Sequence, residues 1–398
     1  MGPPSSLRIT VLYNNDFLSC DPDAHDQAAR ADVANAAAGV AHALAARGHL
    51  ANVRAVDAHD LYAALAEIAA DPPDLVFNLC ESLGGEARHE PVVPALLELA
   101  GIAHTGSSPL ALGLALRKDR AKELLRSRRV PTPAAATITT LDDLASVEMG
   151  FPLIVKPTRE DASVGIHSSS VVRDRAALRA AVARVLDELQ QPALVEQFID
   201  GREIYVSLLG NDPPVALPFH EIDFTDMPQA LPRIVSYRAK WDPASEESIG
   251  TRPVRCILDE PTRLRVERAA RAAFAALELS DYARVDVRLD GRGTPYVIDV
   301  NPNCDLSDGA GFSRAAGFGG LDYPSLIERV CVAAWERTRH VAEQQARRRA
   351  SLQQSRDAGP AATPTARPPA PAGAPVAGRP VHLRRGERRT RADRRGAR

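Results

Sequence analysis

The chain has little cysteine: five residues in 398, at Cys20, Cys80, Cys256, Cys304 and Cys331, far apart and with no CxxC spacing. An odd, scattered set excludes a disulfide framework and a cysteine-built zinc site, and reads as reduced thiols in the cytoplasm. Long hydrophobic runs are missing too, so no segment is expected to span a bilayer. The start, MGPPSSLRITVLYNND, has no basic region followed by an apolar core, so no signal peptide is expected. There is no Walker A pattern and no GxGxxG after a strand, which excludes a P-loop and a Rossmann cofactor site. GxSxG and HExxH are also absent, which removes two common hydrolase readings. No Ser–His–Asp or Cys–His constellation is found, and nothing repeats at a fixed period.

What is present is enough chain for two or three domains, with 45% hydrophobic residues to build their cores. LRITVLYN (7–14), NVRAVDA (52–58) and DLVFNLC (74–80) read as strands. Residues 28–48, LYAALAEIAA (61–70) and PVVPALLELAG (91–101) read as helices between and after them. That alternation predicts a parallel sheet with helices on its faces. A helix over 118–129, the strand FPLIVKP (151–157), a helix over 174–189, and the strands ALVEQFI and EIYVSLLG predict mixed α+β units. An Ala-rich helix over 261–277 follows, and YPSLIERVCVAAWERTRH (323–340) closes the folded part. The expected domains are 1–105, 106–195 and 196–340, with a tail over 341–398.

Lysine is missing from that tail. It holds fourteen arginines against Glu343, Asp357, Glu387 and Asp393, a net of +10, which leaves −12 on residues 1–340. Its run GPAATPTARPPAPAGAPVAGRP has almost no large apolar residue to offset the entropy of ordering, so disorder is expected. The end, HLRRGERRTRADRRGAR, reads as a solvated extension or as a contact for nucleic acid, acidic protein or the body's own acidic surface.

ARVDVRLDG (283–291) and YVIDVN (296–301), joined by turn residues, read as a buried hairpin with Asp286, Asp299 and Asn301 at its centre. Carboxylates among valines are costly unless something positive neutralises them. Asp299 and Asn301 are two apart and face the same way, and Asp286 on the partner strand reaches the same spot. Three such oxygen donors suit Mg²⁺, which keeps one or two carboxylates plus substrate phosphates. A hydrogen-bonded polar cluster beside a turn is the bland alternative. Lys156 ends an apolar strand, either snorkelling to water or set against an anion. The small, polar TREDASVG after it suits a mobile loop whose backbone N–H groups cover phosphates. In ALVEQFIDGRE, residues Glu196, Gln197, Phe198 and Ile199 offer backbone groups to an adenine edge and Glu203 reaches ribose hydroxyls. A strand followed by a turn explains that stretch equally well.

On VFNLCESLGGE (76–86), VPALLELAGIAHTGSSPLALGLALRKDRAKELL (93–125), FPLIVKPTREDASVGI, ALVEQFIDGREIYVSLLG, YARVDVRLD and YVIDVNPN, in that order, the sequence resembles the ATP-grasp superfamily. Within it, the D-alanine–D-alanine ligase group is the nearest likeness, over about residues 76–334. The resemblance implies an α/β and α+β architecture: an N-terminal parallel α/β domain, a small central α+β domain and a C-terminal α+β domain. It implies ATP with Mg²⁺ or Mn²⁺. Lys118 and Lys156 match the two phosphate lysines, Glu196 to Ile199 the adenine hinge, and Glu203 the ribose glutamate. Lys240, in SYRAKWDP, resembles the lysine of a loop closing over the γ-phosphate, with a loop around Ser163 as the other cover. Arg284 resembles the arginine that stabilises the acyl-phosphate and the tetrahedral intermediate. Asp286, Asp299 and Asn301 fall on the metal positions, Asp299 standing where this group usually has glutamate.

The substrate half departs from the group. The first strand runs into YNNDFLSCDPD with no Gly-Gly-x-Ser-x-Glu loop. Ala162 stands for the lid serine and Trp241 for the lid tyrosine, and PNCDLSDGAGFSR (302–314) replaces the serine-bearing acceptor loop. The implied reaction is therefore ATP-dependent joining of a small-molecule carboxylate and an amine through an acyl-phosphate, with amino-acid-type substrates other than two D-alanines. A genuine D-alanine–D-alanine ligase is one alternative. A non-catalytic ATP-binding protein acting through its basic tail is another. The resemblance leaves a homodimer open.

Overall fold

The computed structural model describes residues 6–15 and 27–357. Strand β1 (Arg8–Asn14) lies between β2 (Leu50–Val56) and β3 (Leu75–Asn78) in a parallel sheet of order β2-β1-β3. Strands β1 and β3 are buried because helices cover the sheet, namely α1 (Gln27–Ala46), α2 (Leu61–Ala70) and α3 (Val92–Leu99), while the edge strand β2 is exposed or half-buried over most of its length. Valine, leucine and alanine from α1 pack on β1 and β3 in one apolar cluster, while Leu61, Ala64 and Ile68 of α2 fill a second. The expected Gly-Gly-x-Ser-x-Glu position falls mostly in residues 16–26, outside the described residues.

Helix α4 (Pro109–Leu116) begins with Ser108, whose hydroxyl accepts from the Ala111 N–H at 3.3 Å, and carries proline in its first turn. Arg117 leaves helical geometry and separates it from α5 (Lys118–Ser127). The buried residues of α5 are Lys118, Asp119, Ala121, Lys122 and Leu125, so two lysines one turn apart face inward. Next comes an antiparallel sheet of order β4-β7-β5-β6, made of β4 (Ala135–Ile138), β5 (Leu153–Pro157), β6 (Val171–Val172) and β7 (Ala193–Gln197). Helix α6 (Arg175–Glu188), N-capped by Asp174, packs Leu178, Ala181, Val182 and Val185 against it.

The largest sheet runs β11-β10-β8-β12-β13, with β9 beside β8. Its members are β8 (Gly201–Leu209), β9 (Val215–Ala216), β10 (His220–Asp223), β11 (Arg252–Arg255), β12 (Tyr282–Asp290) and β13 (Pro295–Asn301). At Gly201 a Cβ would sit 2.0 Å from the Leu289 carbonyl oxygen, so only glycine lets β8 start against β12. Two short helices, α7 (Tyr237–Trp241) and α8 (Glu246–Ile249), form a cover, and α9 (Glu260–Ala276) packs its alanine face on β12 and β13. Helices α10 (Gly311–Phe318) and α11 (Tyr323–Asp357) complete the described residues. Described residues up to Gln344 belong to one compact unit, and residues from Gln345 on to a second.

Two elements differ from expectation. PLALGLAL forms α4 although no helical stripe marks it, since it is apolar all round and only Ser108 and Pro109 signal its start. Helix α11 runs past His340 to Asp357, into the segment expected to be irregular, because that stretch has no glycine or proline and is rich in Ala, Gln and Arg. The rest of the expected tail, 358–398, lies outside the described residues. Among the described residues no helix is long and apolar enough to cross a membrane, and Cys256, Cys304 and Cys331 are free thiols.

Candidate functional site

A cleft of about 740 Å³ is lined from all three sheets and is large enough for a nucleotide-sized ligand. Its floor is the β12–β13 hairpin. There Asp286 pairs directly with Asp299 and Arg284 with Asn301, and the register shifts at a bulge just after Asp286. Alternation along each strand puts all four side chains on one face. The Arg284 guanidinium donates to both oxygens of Asp286 (2.7 and 2.9 Å), and the Asn301 amide donates to Asp286 at 3.3 Å. Arg284 also lies 4.7 Å above the Tyr205 ring. Burial pushes Asp286 above the ordinary carboxylate range in spite of Arg284.

Lys118, the first residue of α5, reaches Asp299 with its ammonium 2.9 Å from both oxygens and Asp161 at 3.0 Å. Burial opposes its charge, but Asp161 and Asp299 outweigh burial and hold its pKa above the usual lysine value. One turn on, Lys122 binds Glu196 and donates to Thr132 at 2.8 Å, and Lys156 binds the other oxygen of Glu196 at 2.8 Å. Burial opposes ionisation of Glu196, yet the two lysines draw its pKa below the usual range. Lys156 is therefore not snorkelling: it is buried, and its partner is an anion.

The expected hinge is partly committed inside the protein. The Phe198 N–H donates to Pro152 O at 3.1 Å, and Ile199 O accepts from Arg288 at 3.3 Å. The Gln197 side chain donates to Pro152 O at 3.0 Å. Glu203 accepts from Arg288 at 2.5 Å and from the Tyr205 hydroxyl at 2.9 Å, and it still lines the cleft.

The roof is strained. Ala162, Ser163 and Gly165 have φ of 52°, 64° and 71°. Only glycine adopts this region freely, and the two others cost on the order of 1–3 kcal/mol each. The loop is stitched to the second cover. Ser163 donates its hydroxyl to Val235 O at 3.0 Å, Trp241 Nε1 donates to Ala162 O at 3.2 Å, Tyr237 N–H donates to Ile166 O at 2.9 Å, and Ser168 pairs with Glu247. Lys240 projects from α7 with its ammonium 4.9 Å from the Trp241 ring centre. Burial and then Arg284 pull its pKa below the ordinary lysine value.

Thus the structure gathers Lys118, Lys156, Lys240, Ser163, Glu203, Arg284, Asp286, Asp299 and Asn301 around one space. Sequence reasoning missed Lys122, Arg288, His220 and Glu81. One signal was available for Lys122. The chain has only four lysines, Lys118, Lys122, Lys156 and Lys240, among 49 Lys and Arg, and all four stand in or just behind the wall of this cleft. Where arginine serves nearly everywhere else, a lysine marks a place that wants a compact ammonium.

Two carboxylates and a carboxamide in register fit a Mg²⁺ donor set. Among the described residues no three His, Cys, Asp or Glu side chains converge, so the third donor would have to be the Asn301 amide oxygen.

Comparison with known proteins places the chain in a family. Residues 135–332 match the family model of the D-ala D-ala ligase C-terminus. An uncharacterized Sinorhizobium fredii protein, y4sG, is 38% identical over 273 residues, covering 67% of this chain and 78% of its own. A D-alanine–D-alanine ligase of a Marinomonas species is 33% identical over 287 residues, covering 70% of this chain and 84% of its own. In structure, the Bacillus anthracis D-alanine–D-alanine ligase complexed with ATP superposes with a TM-score of 0.64 at 21% identity, over 84% of this chain and 99% of that one. The chain belongs to the D-alanine–D-alanine ligase family, ATP-grasp ligases that join carbon to nitrogen.

Proposed function

We propose that the chain activates a small-molecule carboxylate with ATP and Mg²⁺, forming an acyl-phosphate that an amine then attacks to give an amide, ADP and phosphate. The observation that carries this reading is the hairpin floor, where Asp286 faces Asp299 and Arg284 faces Asn301 beneath Lys118 and Lys156.

Each group has a physical role. Asp286, Asp299 and Asn301 would hold the metal, which supplies charge neutralisation between the phosphates. Lys118, Lys156 and Lys240 place fixed positive charge around the triphosphate, and Arg284 faces the oxygen that becomes negative when the acyl carbon is attacked. Gln197, Phe198 and Ile199 border the base, and Glu203, held by Arg288, accepts from the ribose. The strained loop at Ser163 and the α7–α8 segment exclude the water that would hydrolyse an acyl-phosphate. Ala162 and Trp241 replace the serine and tyrosine expected for two D-alanines, which supports another amino-acid-type pair.

The test is hydroxylamine trapping. Purified protein with ATP and Mg²⁺ is given each D- and L-amino acid, singly and in pairs, and hydroxamate and ADP are measured. Acid-dependent hydroxamate is expected, with D-alanine alone a poor donor. Efficient D-alanyl-D-alanine formation would instead favour the reaction for which its Marinomonas relative is named.

A further inference from the structure

Amide formation needs a neutral amine, yet an amino-acid amine at neutral pH is an ammonium, so a proton must leave before attack. In the cleft, Asp161, Glu196, Glu203, Asp286 and Asp299 are each held by a lysine or an arginine. Glu81 is different. It opens into the cleft and, among the described residues, has no ion pair within 4 Å, a condition it shares with Asp305 and Glu90.

Its backbone is fixed. Beyond β3, Leu79 N–H donates to Leu12 O (2.8 Å), Cys80 N–H to the Asn78 side chain (3.3 Å) and Glu81 N–H to the side chain of buried Asn14 (3.0 Å). Asn14 in turn donates to Ser82 at 3.0 Å. Glu81 therefore stands at the carboxyl end of the parallel sheet, where α/β sheets present their ligands. Asp305 after β13, Lys240 on α7 and Asp161 in the strained loop act on it electrostatically, and its charge acts on buried Glu90 and on Tyr282. Glu81, Lys240 and Arg284 all line this one cleft.

Resting on the ligase reading above, we propose that Glu81 is the general base that takes the proton of the attacking amine. The ammonium gives one proton to the Glu81 carboxylate, and the freed lone pair attacks the acyl carbon. The carbon–nitrogen bond forms, the bond from carbon to the phosphate oxygen breaks, and the second nitrogen proton leaves with the departing phosphate. Glu81 then returns its proton to water. Its surroundings suit a base: although Glu81 is exposed where it faces the cleft, the protein packed around it first, then Asp305, push the carboxyl up to about 7, with Lys240 opposing. General bases work best near the operating pH.

The test compares two nucleophiles on the full-length chain. Hydroxylamine is already unprotonated at neutral pH and needs no base. Glu81→Gln should lower amide formation by about 10²–10⁴-fold, while hydroxamate formation with the same acid and calorimetric Mg²⁺–ATP binding persist. Glu81→Asp should restore part of the amide rate. The wild-type amide rate should fall as pH drops through about 7, and Asp305→Asn should move that limb to lower pH. Equal loss of amide and hydroxamate, or a Glu81→Gln amide rate near wild type, overturns the role. If the wild-type chain forms no hydroxamate with any acid, the ligase reading itself fails and the base falls with it.

Discussion

Lys122→Met removes a charge from behind the cleft while keeping most of the side-chain volume. Glu196 is 1% exposed, and the side chain of Lys122 is 4% exposed, so water cannot replace what is lost. Breaking a buried ion pair costs about 3–5 kcal/mol when the surviving charge stands alone. Here Glu196 keeps Lys156 at 2.8 Å, so the loss should fall nearer the roughly 1.5–3 kcal/mol of one hydrogen bond to a charged group. Glu196→Gln should cost more, about 3–5 kcal/mol, because it leaves two ammoniums facing each other with no anion between them. Urea unfolding measures both, with midpoints compared where the slope is unchanged. The double variant should show a coupling of at least about 1 kcal/mol, since each change removes the same pair. A Lys122→Met protein within about 0.5 kcal/mol of wild type, with no coupling to Glu196→Gln, would refute the charged triad.

The remaining outcomes follow from the same geometry. Asp299→Ala should abolish Mg²⁺-dependent ADP release, and near-normal turnover would remove Asp299 from the metal site. Lys156→Ala should lower turnover by about 10²-fold or more, as losing a transition-state contact does; a mild effect would make its pairing with Glu196 purely structural. Trp241→Phe deletes the indole bond to Ala162 O, so phosphate release should outrun amide formation as water enters, and unchanged coupling would count against the cover. His220 is held down to about 3, below its ordinary 6.5, by burial first and then by Arg284 and Arg314. Its neutral form favours folding, so stability complete above pH 6.5 should be lost as pH falls toward 3, by about 1.4 kcal/mol per pH unit. His220→Asn should flatten that loss in acid unfolding curves.

Much of the fold was legible because local signals agreed with tertiary demands. LRITVLYN and DLVFNLC are mostly apolar with no in–out alternation because β1 and β3 are covered on both faces, and Gly48 with φ of 86° ends α1 as a left-handed cap residue. Helix α4 was hidden for a different reason: it is apolar both at buried Ala111, Leu112, Ala115 and Leu116 and at exposed Leu110, so no polar stripe is left for a 3.6-residue period to reveal. Residues 341–357 are masked by the Pro-rich composition of the segment beyond them, although their own composition is that of a helix.

The site divides along a different line. Asp286, Asp299 and Asn301 could be found from sequence because a period of two fixes which residues share a face, and Val and Ile around them make a carboxylate conspicuous. That Asp286 lies opposite Asp299 depends on the bulge after Asp286, which no local signal marks. The cations were harder still. Lys118 and Lys122 sit on a short helix of mostly polar residues, where a lysine ordinarily means solvent, and only the fold turns that face toward Asp299 and Glu196. Charge balance explains why one half of the cleft matched a known pattern and the other did not. Where each carboxylate has its own cation, side chains are fixed in pairs and either member predicts the other. At Glu81 and Asp305 no described cation lies within 4 Å, so the pairing is left to whatever enters the cleft, and the sequence holds only one side of it.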